Sequence, residues 1–114
     1  MKALPAERYT VSGRLHYPEN FALPSDAIAT VTLTDVSALE DSSATMLVRQ
    51  VIHPPHQQLS VPFALTVDAT DIDERHLYTI QARVASAGRV ILTNASTYPV
   101  ITLGNPTTVE VHVR

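Results

Sequence analysis

The chain contains no cysteine, so disulfides, thiolate metal sites and cysteine nucleophiles are all excluded. Tryptophan is also absent and aromatic residues make up only 5% of the sequence, so the core must consist of Val, Ile, Leu and Ala. No apolar run approaches the ~20 residues that a membrane-spanning helix needs. The formal net charge of −3 does not indicate nucleic-acid binding, which requires a basic face.

The composition that is present is typical of one folded domain. Hydrophobic residues form 45% and charged residues 17% of the 114 residues, which is too apolar for a disordered chain. A chain of this length buries roughly two thirds of its unfolded surface, enough for a core without cross-links. We predict a flexible segment at residues 1–8 and a single domain at 9–114. Residues 1–5 lack the apolar stretch of a signal peptide, which leaves a cytosolic chain or one whose export signal was removed.

Alternating apolar and polar side chains predict an all-β fold. In residues 77–84, four apolar side chains from Tyr78 to Val84 share one face, and we predict that this is the central strand. The predicted strands are 9–17, 28–36, 45–52, 59–67, 77–84, 89–94, 98–103 and 107–113. Their number and spacing indicate a single antiparallel β-sandwich of seven to eight strands. We expect its core to contain Val31, Leu33, Phe63, Leu65, Ile80 and Val84.

Three positions predict local departures from regular strands. Gly13 lies on the inward face of the first strand, which indicates close approach of another backbone or a bulge. Pro62 lies on the outward face of the fourth strand, and because proline cannot donate to a ladder, this strand is predicted at a sheet edge. The third strand, 45–52, alternates poorly, which predicts either two apolar faces or a bulge.

A set of short blocks along the chain resembles a known bacterial family. The blocks are Val11-Ser12-Gly13, Ala22-Leu23-Pro24-Ser25-Asp26-Ala27, Val31-Thr32-Leu33-Thr34-Asp35-Val36-Ser37, Val61-Pro62-Phe63, Ile72-Asp73-Glu74-Arg75-His76-Leu77-Tyr78, Ala82-Arg83-Val84, Tyr98-Pro99-Val100-Ile101-Thr102 and Gly104-Asn105-Pro106-Thr107. In this order and spacing, over residues 9 to 113, they resemble the YbaY/YscW-type lipoprotein family.

The resemblance implies a β-sandwich body on an exported lipoprotein of the periplasm, anchored to the outer membrane in its full-length precursor. Type III secretion members, called pilotins or secretin chaperones, bind a secretin and help to place it in the outer membrane. The partner implied here is an envelope protein or a secretin peptide, with membrane contact only through a lipid anchor. The lipobox cysteine of the family is absent from this sequence, so either the anchor was removed or this member is not lipidated.

The ionisable residues do not form a pattern that predicts catalysis or metal binding. The five histidines are His16, His53, His56, His76 and His112. His53 and His56 are three apart across Pro54-Pro55, but the sequence has no H-x-x-x-H pair on one helix and no carboxylate at ligand spacing, so we predict no metal and no cofactor. No nucleophile elbow or acyl-transfer spacing is present, so we predict that the chain is not an enzyme.

The carboxylates between residues 68 and 74 have a structural interpretation. They lie in a predicted loop, where such groups are normally solvated or bond to turn amides. We expect Asp73 to accept backbone N–H groups just before the central strand. We also expect Arg75 to form an ion pair with Asp26 or Asp35 near one end of the sandwich, at a gain of ~0–1 kcal/mol if exposed.

The third strand is the predicted partner-binding element. It contains no proline before its end, and by strict alternation Met46, Val48 and Ile52 share one face. We predict that these three residues line a partner-binding surface, because Met and branched aliphatic side chains suit an adaptable peptide site. The alternative is an internal strand buried on both faces. Competing functions are a structural or stress-related envelope domain and, less favoured because tryptophan is absent, a carbohydrate-binding module.

Overall fold

A computed structural model describes residues 7–18, 21–37, 45–54 and 60–114. Eight strands are present: β1 (Arg8–His16), β2 (Ile28–Asp35), β3 (Thr45–Ile52), β4 (Ser60–Asp68), β5 (Tyr78–Ser86), β6 (Arg89–Thr93), β7 (Tyr98–Val100) and β8 (Thr108–His112). A short 3-10 turn, Ala69–Asp71, follows β4. Within the described ranges, no helix has the length and apolar character needed to cross a membrane. Most of the predicted flexible segment, residues 1–6, and also His56 lie outside the described residues.

The strands form two sheets that pack as a sandwich. The smaller sheet has the order β4-β1-β8, and the larger sheet has the order β3-β2-β5-β6 with β7 also paired to β5. The ladders between named strands are antiparallel except the β1–β8 ladder, which is parallel. The predicted all-β sandwich is therefore confirmed, with one parallel pair. The predicted edge position of the strand that carries Pro62 is also confirmed, because β4 ends its sheet.

The core lies between the inward faces of the two sheets. All six residues predicted to be buried together are at most 3% exposed, and they come from β2, β4 and β5. Val11, Leu15 and Val111 of the smaller sheet are completely buried on the opposite side of the same cluster. Burial of each large aliphatic side chain contributes roughly 1.5–3 kcal/mol, so aliphatic packing is the main source of stability in this aromatic-poor chain.

Gly13 allows the two ends of the chain to pair. It lies opposite Val109 in the parallel ladder between β1 and β8. A Cβ atom built on Gly13 would overlap the carbonyl group of Val109. Close backbone approach, one of the two alternatives predicted from the sequence, is therefore the reason for glycine at this position.

The two sheets are hydrogen-bonded to each other on one side of the sandwich. The amide of Arg114 donates to the Thr93 carbonyl at 2.8 Å, and the amide of Thr93 donates to the Arg114 carbonyl at 3.1 Å. Asn94 and Val113 form the bridge beside this pair. The end of β8 thus joins the smaller sheet to β6 of the larger one. On the opposite side, the terminal strands are β3 and β4, and the candidate site lies there.

Candidate partner-binding site

A bulge in β3 changes which of its side chains face outward. Leu33 of β2 lies opposite Val48, whereas the next residue, Thr34, lies opposite Met46. Leu47 is therefore the extra residue of the bulge. This feature explains the irregular alternation of the sequence and confirms the bulge, one of the two predicted alternatives. The order of the sheet also excludes an internal position, because β3 is a terminal strand.

The bulge separates the three residues that the sequence placed on one face. Val48 and Ile52 lie opposite buried residues of β2 and are themselves half-buried against the core. Met46 lies beyond the bulge, in register with Thr34, which is on the opposite face of β2 from Leu33, and Met46 is 51% exposed. The prediction of one shared face is therefore wrong, because one extra residue shifts the alternation of every residue beyond it. Their role in binding a partner stays a prediction.

The free edge of β3 presents main-chain groups that can pair with another strand. Residues in an antiparallel ladder alternate between pairs that exchange hydrogen bonds and pairs that do not. The Val36 amide donates to the Leu77 carbonyl at 3.0 Å, so even-numbered residues of β2 bond to β5 and odd-numbered ones bond to β3. Arg49 and Val51 lie opposite even-numbered residues, so their N–H and C=O groups point away from β2.

Two of the other terminal strands, β4 and β8, carry features that block strand addition. On β4, Pro62 has no N–H, and the Ala64 amide donates to Oε1 of Gln50, a β3 residue, at 3.0 Å. On β8, the His112 amide donates to the hydroxyl of Tyr98 at 2.9 Å. Exposed edges invite pairing with other chains, and such side-chain bonds and prolines prevent it. Among the described residues, the Arg49 and Val51 amides of β3 have no comparable bond.

A cluster of polar side chains lies at the end of the sandwich near the start of β5. Asp73 accepts a bond from the Arg75 amide at 2.9 Å, and its second oxygen lies 3.0 Å from Nη2 of Arg75. These bonds from Arg75 lower the pKa of Asp73 to about 2. The predicted bond from Asp73 to a backbone N–H is confirmed. The predicted pairing of Arg75 with Asp26 or Asp35 is wrong, because Arg75 reaches the carboxylate of its own turn.

His76 and Tyr78 complete this end cluster. His76 Nδ1 lies 2.7 Å from Oδ2 of Asp35, and the Asp73 amide donates to the Tyr78 hydroxyl at 2.8 Å. Burial raises the pKa of Tyr78. Sequence reasoning missed the contact between His76 and Asp35. The strand pairing that places Asp35 opposite Tyr78 is the signal that would have found it. Because these groups bond to one another, the cluster ties the loop before β5 to the end of β2.

The histidines on the smaller sheet form a pair. The rings of His16 and His112 stack with centroids 4.7 Å apart, and Nε2 of His16 lies 2.9 Å from Oε1 of Glu110. The sequence placed both histidines on outward positions but did not bring them together. Within the described residues, no group of three or more His, Cys, Asp or Glu side chains converges as metal ligands. His53 is exposed at the end of β3.

Comparisons with known proteins agree with this architecture. The model of the family described as type III secretion system lipoprotein chaperone (YscW) matches residues 6–113. The lipoprotein YbaY of Escherichia coli K12 is 28% identical over 94 residues, which cover 82% of this chain and 49% of YbaY. The chain thus spans about half the length of that relative.

A solved structure is also similar to this chain along most of its length. It is an alternative pilotin from the type II secretion system of Vibrio cholerae, with a TM-score of 0.84 and 30% identity. The match covers 94% of this chain and 96% of the pilotin. The family match includes all eight described strands. The chain therefore belongs to the YscW family of type III secretion system lipoprotein chaperones.

Proposed function

We propose that this chain is a non-catalytic binding module that holds a segment of an envelope protein, most specifically a secretin, along the edge of β3. Membership of a lipoprotein chaperone family and similarity to a pilotin support a role in carrying another protein. The same similarities support action in the periplasm at the outer membrane, with the membrane contacted through a lipid anchor. The polar clusters of the described residues are bonded internally, which supports binding rather than catalysis.

The observation that carries the proposal is the position of the three candidate residues on β3. Met46 faces outward, whereas Val48 and Ile52 face the interior side. A partner that lay on one face of the sheet would contact either Met46 or the pair Val48 and Ile52, but not all three residues. A strand added along the edge places its own side chains on both faces, so it contacts all three residues while its main chain pairs with Arg49 and Val51.

The edge of β3 also faces β4, and this determines what a partner must displace. Gln50 reaches from β3 to the Ala64 amide of β4 and so spans the break between the two sheets. A strand paired with β3 would replace that side-chain bond by main-chain bonds. Pro62 lacks a donor, so β4 offers the incoming strand fewer bonds than β3 does. The added strand therefore pairs mainly with β3.

The test compares two substitutions at one position. Arg49→Pro removes the side chain and the outward N–H, whereas Arg49→Ala removes the side chain alone. Immobilised wild-type protein is used to capture secretin from envelope extract of the source bacterium, and captured protein is identified by mass spectrometry. We expect Arg49→Ala to retain capture and Arg49→Pro to lose it, with both variants folded by circular dichroism. Equal capture by both variants, or no envelope protein enriched by the wild type, would contradict the proposal.

A side-chain variant tests the outward residue separately. Met46→Glu places a charge at a 51% exposed position, so the fold should be retained while capture falls. Val48 is half-buried, so the milder change Val48→Thr is the suitable variant there. Glu at position 48 would confuse loss of folding with loss of binding. Undiminished capture by folded Met46→Glu would remove Met46 from the site.

A further inference from the structure

The outer face of the larger sheet is unusually apolar for an exposed surface. Six large hydrophobic residues of the described chain are substantially exposed, and five of them belong to strands of this sheet. They are Ile28 (38%), Met46 (51%), Val51 (50%), Val90 (53%) and Ile91 (36%). Single exposed hydrophobic side chains are ordinary, but a cluster of them on one sheet indicates an interaction surface.

The charges on the outer face of this sheet have one sign. Arg49 and Arg83 lie on this face, because they are in register with Thr32 and Thr30 of β2, and both are exposed. Arg89 of β6 is also exposed, but it lies opposite Ser86 on the other face of the sheet. Within the described residues, these three guanidinium groups form no hydrogen bond or ion pair with another side chain. The sheet's one carboxylate, Asp35, bonds to His76 in the end cluster. A protein with a net charge of −3 thus carries a basic outer face on its larger sheet.

A groove on this face brings the apolar and basic groups together. Its volume is about 190 Å³, and its lining includes Thr30, Gln81, Arg83, Thr93 and Asn94. Val51, Thr30, Arg83 and Thr93 are in register across four neighbouring strands. A single row therefore presents an aliphatic side chain, a hydroxyl, a guanidinium and a second hydroxyl. Guanidinium and hydroxyl donors in one row suit a carboxylate, which accepts several hydrogen bonds at once.

The neighbouring row on the sheet supplies an apolar platform. Ile28 lies opposite Ala85, and Ala85 lies opposite Val90. Rows of the same face are two residues apart along a strand, a distance of about 6.8 Å. A ligand that places a carboxylate in the groove therefore places a group about 6–7 Å away on aliphatic side chains. Side chains two residues apart in an extended peptide lie on one face at about this separation.

We propose that the outer face of the larger sheet binds a peptide segment that carries acidic and apolar side chains on one face, with a carboxylate of the segment on Arg83. This inference rests on the proposed function as a binding module and adds a second surface, with the chemistry of the segment that it binds. The occupant is distinct from the strand paired to β3, because the groove lies on the face of the sheet and not along its edge. Val51 belongs to both surfaces and makes them continuous.

An anionic membrane is the weaker occupant for this face. Two basic residues near an anionic lipid surface contribute about 1 kcal/mol each, which gives only marginal binding. Membrane-interface surfaces are also rich in Trp and Tyr, and this sheet has neither on the rows that line the groove. A recessed groove with hydroxyl and amide groups matches individual side chains of a peptide better than a lipid surface.

The test uses three synthetic peptides of 14 residues with identical leucine positions and with Glu, Gln or Lys at all polar positions. Binding to the 114-residue protein is measured by fluorescence anisotropy, and the site is mapped by amide chemical shifts of ¹⁵N-labelled protein. We expect the Glu peptide to bind at least ~10-fold more tightly than the Gln peptide, and the Lys peptide not to bind. The shifts should concentrate on Thr30, Gln81, Arg83 and Thr93.

A matched pair of variants assigns the charge effect to the groove. Arg83→Gln and Arg14→Gln each remove one positive charge from an exposed strand position, but Arg14 lies on the smaller sheet. We expect Arg83→Gln to weaken the Glu peptide about 10-fold and Arg14→Gln to leave its affinity unchanged. Equal affinities for the Glu and Gln peptides, or equal effects of the two variants, would overturn the proposal.

Two further measurements cover the other possible occupants. Cosedimentation with phosphatidylglycerol vesicles, combined with absent Glu-peptide binding, would assign the face to a membrane and overturn the proposal. Concentration-dependent dimerisation that Arg83→Gln abolishes would assign the face to a second copy and overturn it equally. Loss of secretin capture in Arg49→Pro alongside wild-type capture in Arg83→Gln would refute this inference while leaving the proposed function intact.

Discussion

At the scale of single residues, the ionisation of the Asp73 carboxyl group, in the loop before β5, contributes to the stability of the fold. Its carboxylate accepts bonds from both the main chain and the side chain of Arg75, and its own amide donates to the Tyr78 hydroxyl. The folded chain therefore favours the ionised carboxylate, and the pKa of Asp73 falls to about 2. In the unfolded chain an aspartate titrates near its ordinary value of about 3.9.

This difference predicts the pH dependence of an Asp73→Asn variant. Because the folded pKa of Asp73 lies below the unfolded one, its contribution is fully present above about pH 4 and is lost as the pH falls towards 2. Wild type should therefore exceed Asp73→Asn in stability at pH 6, and this difference in the free energy of unfolding should narrow steadily as the pH falls from 4 through 2. Urea unfolding at several pH values measures the free energy of unfolding of wild type and of Asp73→Asn. Asp71→Asn, a change in the same loop, serves as the control, and a gap independent of pH would contradict this reading.

At the scale of elements, β3 and β4 differ in whether their free edges can pair with another strand. Proline and a side-chain bond block β4, whereas β3 keeps outward main-chain groups on Arg49 and Val51. Gln50 connects these edges, so it is both a contact of the free protein and an obstacle to strand addition. A neutral hydrogen bond of this kind contributes about 1 kcal/mol net.

Gln50→Leu should therefore change stability and partner binding in opposite directions. We expect the free energy of unfolding to fall by about 1 kcal/mol, because the Ala64 amide loses its acceptor. Affinity for the captured partner should rise up to about tenfold, because the partner no longer breaks that bond. Gln50→Glu retains an acceptor oxygen and should resemble wild type in stability. Weaker partner binding by Gln50→Leu would show that Gln50 contacts the partner directly. Surface plasmon resonance and urea unfolding provide the two measurements.

The positions of the strands are the part of the structure that the sequence predicted best. The bounds of β3 agree with the predicted 45–52, because apolar runs between turn residues determine where a strand lies. Pro62 predicted the edge position of β4 for a local chemical reason. The face of Met46 was not predictable, because it depends on where the bulge falls, and register against β2 determines that. The pair of His76 with Asp35 required the same non-local knowledge.

At the scale of the whole molecule, β8 holds the two sheets together. It pairs in parallel with β1, and the residues at its end bond to β6. Local alternation predicted the strand itself but not this parallel pairing of the two ends of the chain. Gly13 was the one local signal of a close approach, and the sequence did not identify Val109 as the approaching residue. The bonds between the end of β8 and β6 join the two sheets on one side of the sandwich. On the opposite side the terminal strands are β3 and β4, and both proposed binding surfaces include β3.

Gly13→Ala tests whether the whole sandwich depends on that approach. The added Cβ would overlap the Val109 carbonyl, and because the obstacle is backbone, no change of rotamer relieves the overlap. β1 and β8 must therefore separate, and we expect a loss of at least about 2 kcal/mol in the free energy of unfolding. Ser12→Ala, one residue earlier on the same strand, should cost much less. Hydrogen exchange should accelerate more at Val111 and Val113 than in β2, because β8 is the strand displaced. Near-wild-type stability and unchanged exchange in β8 would show that the sheets are held together without it.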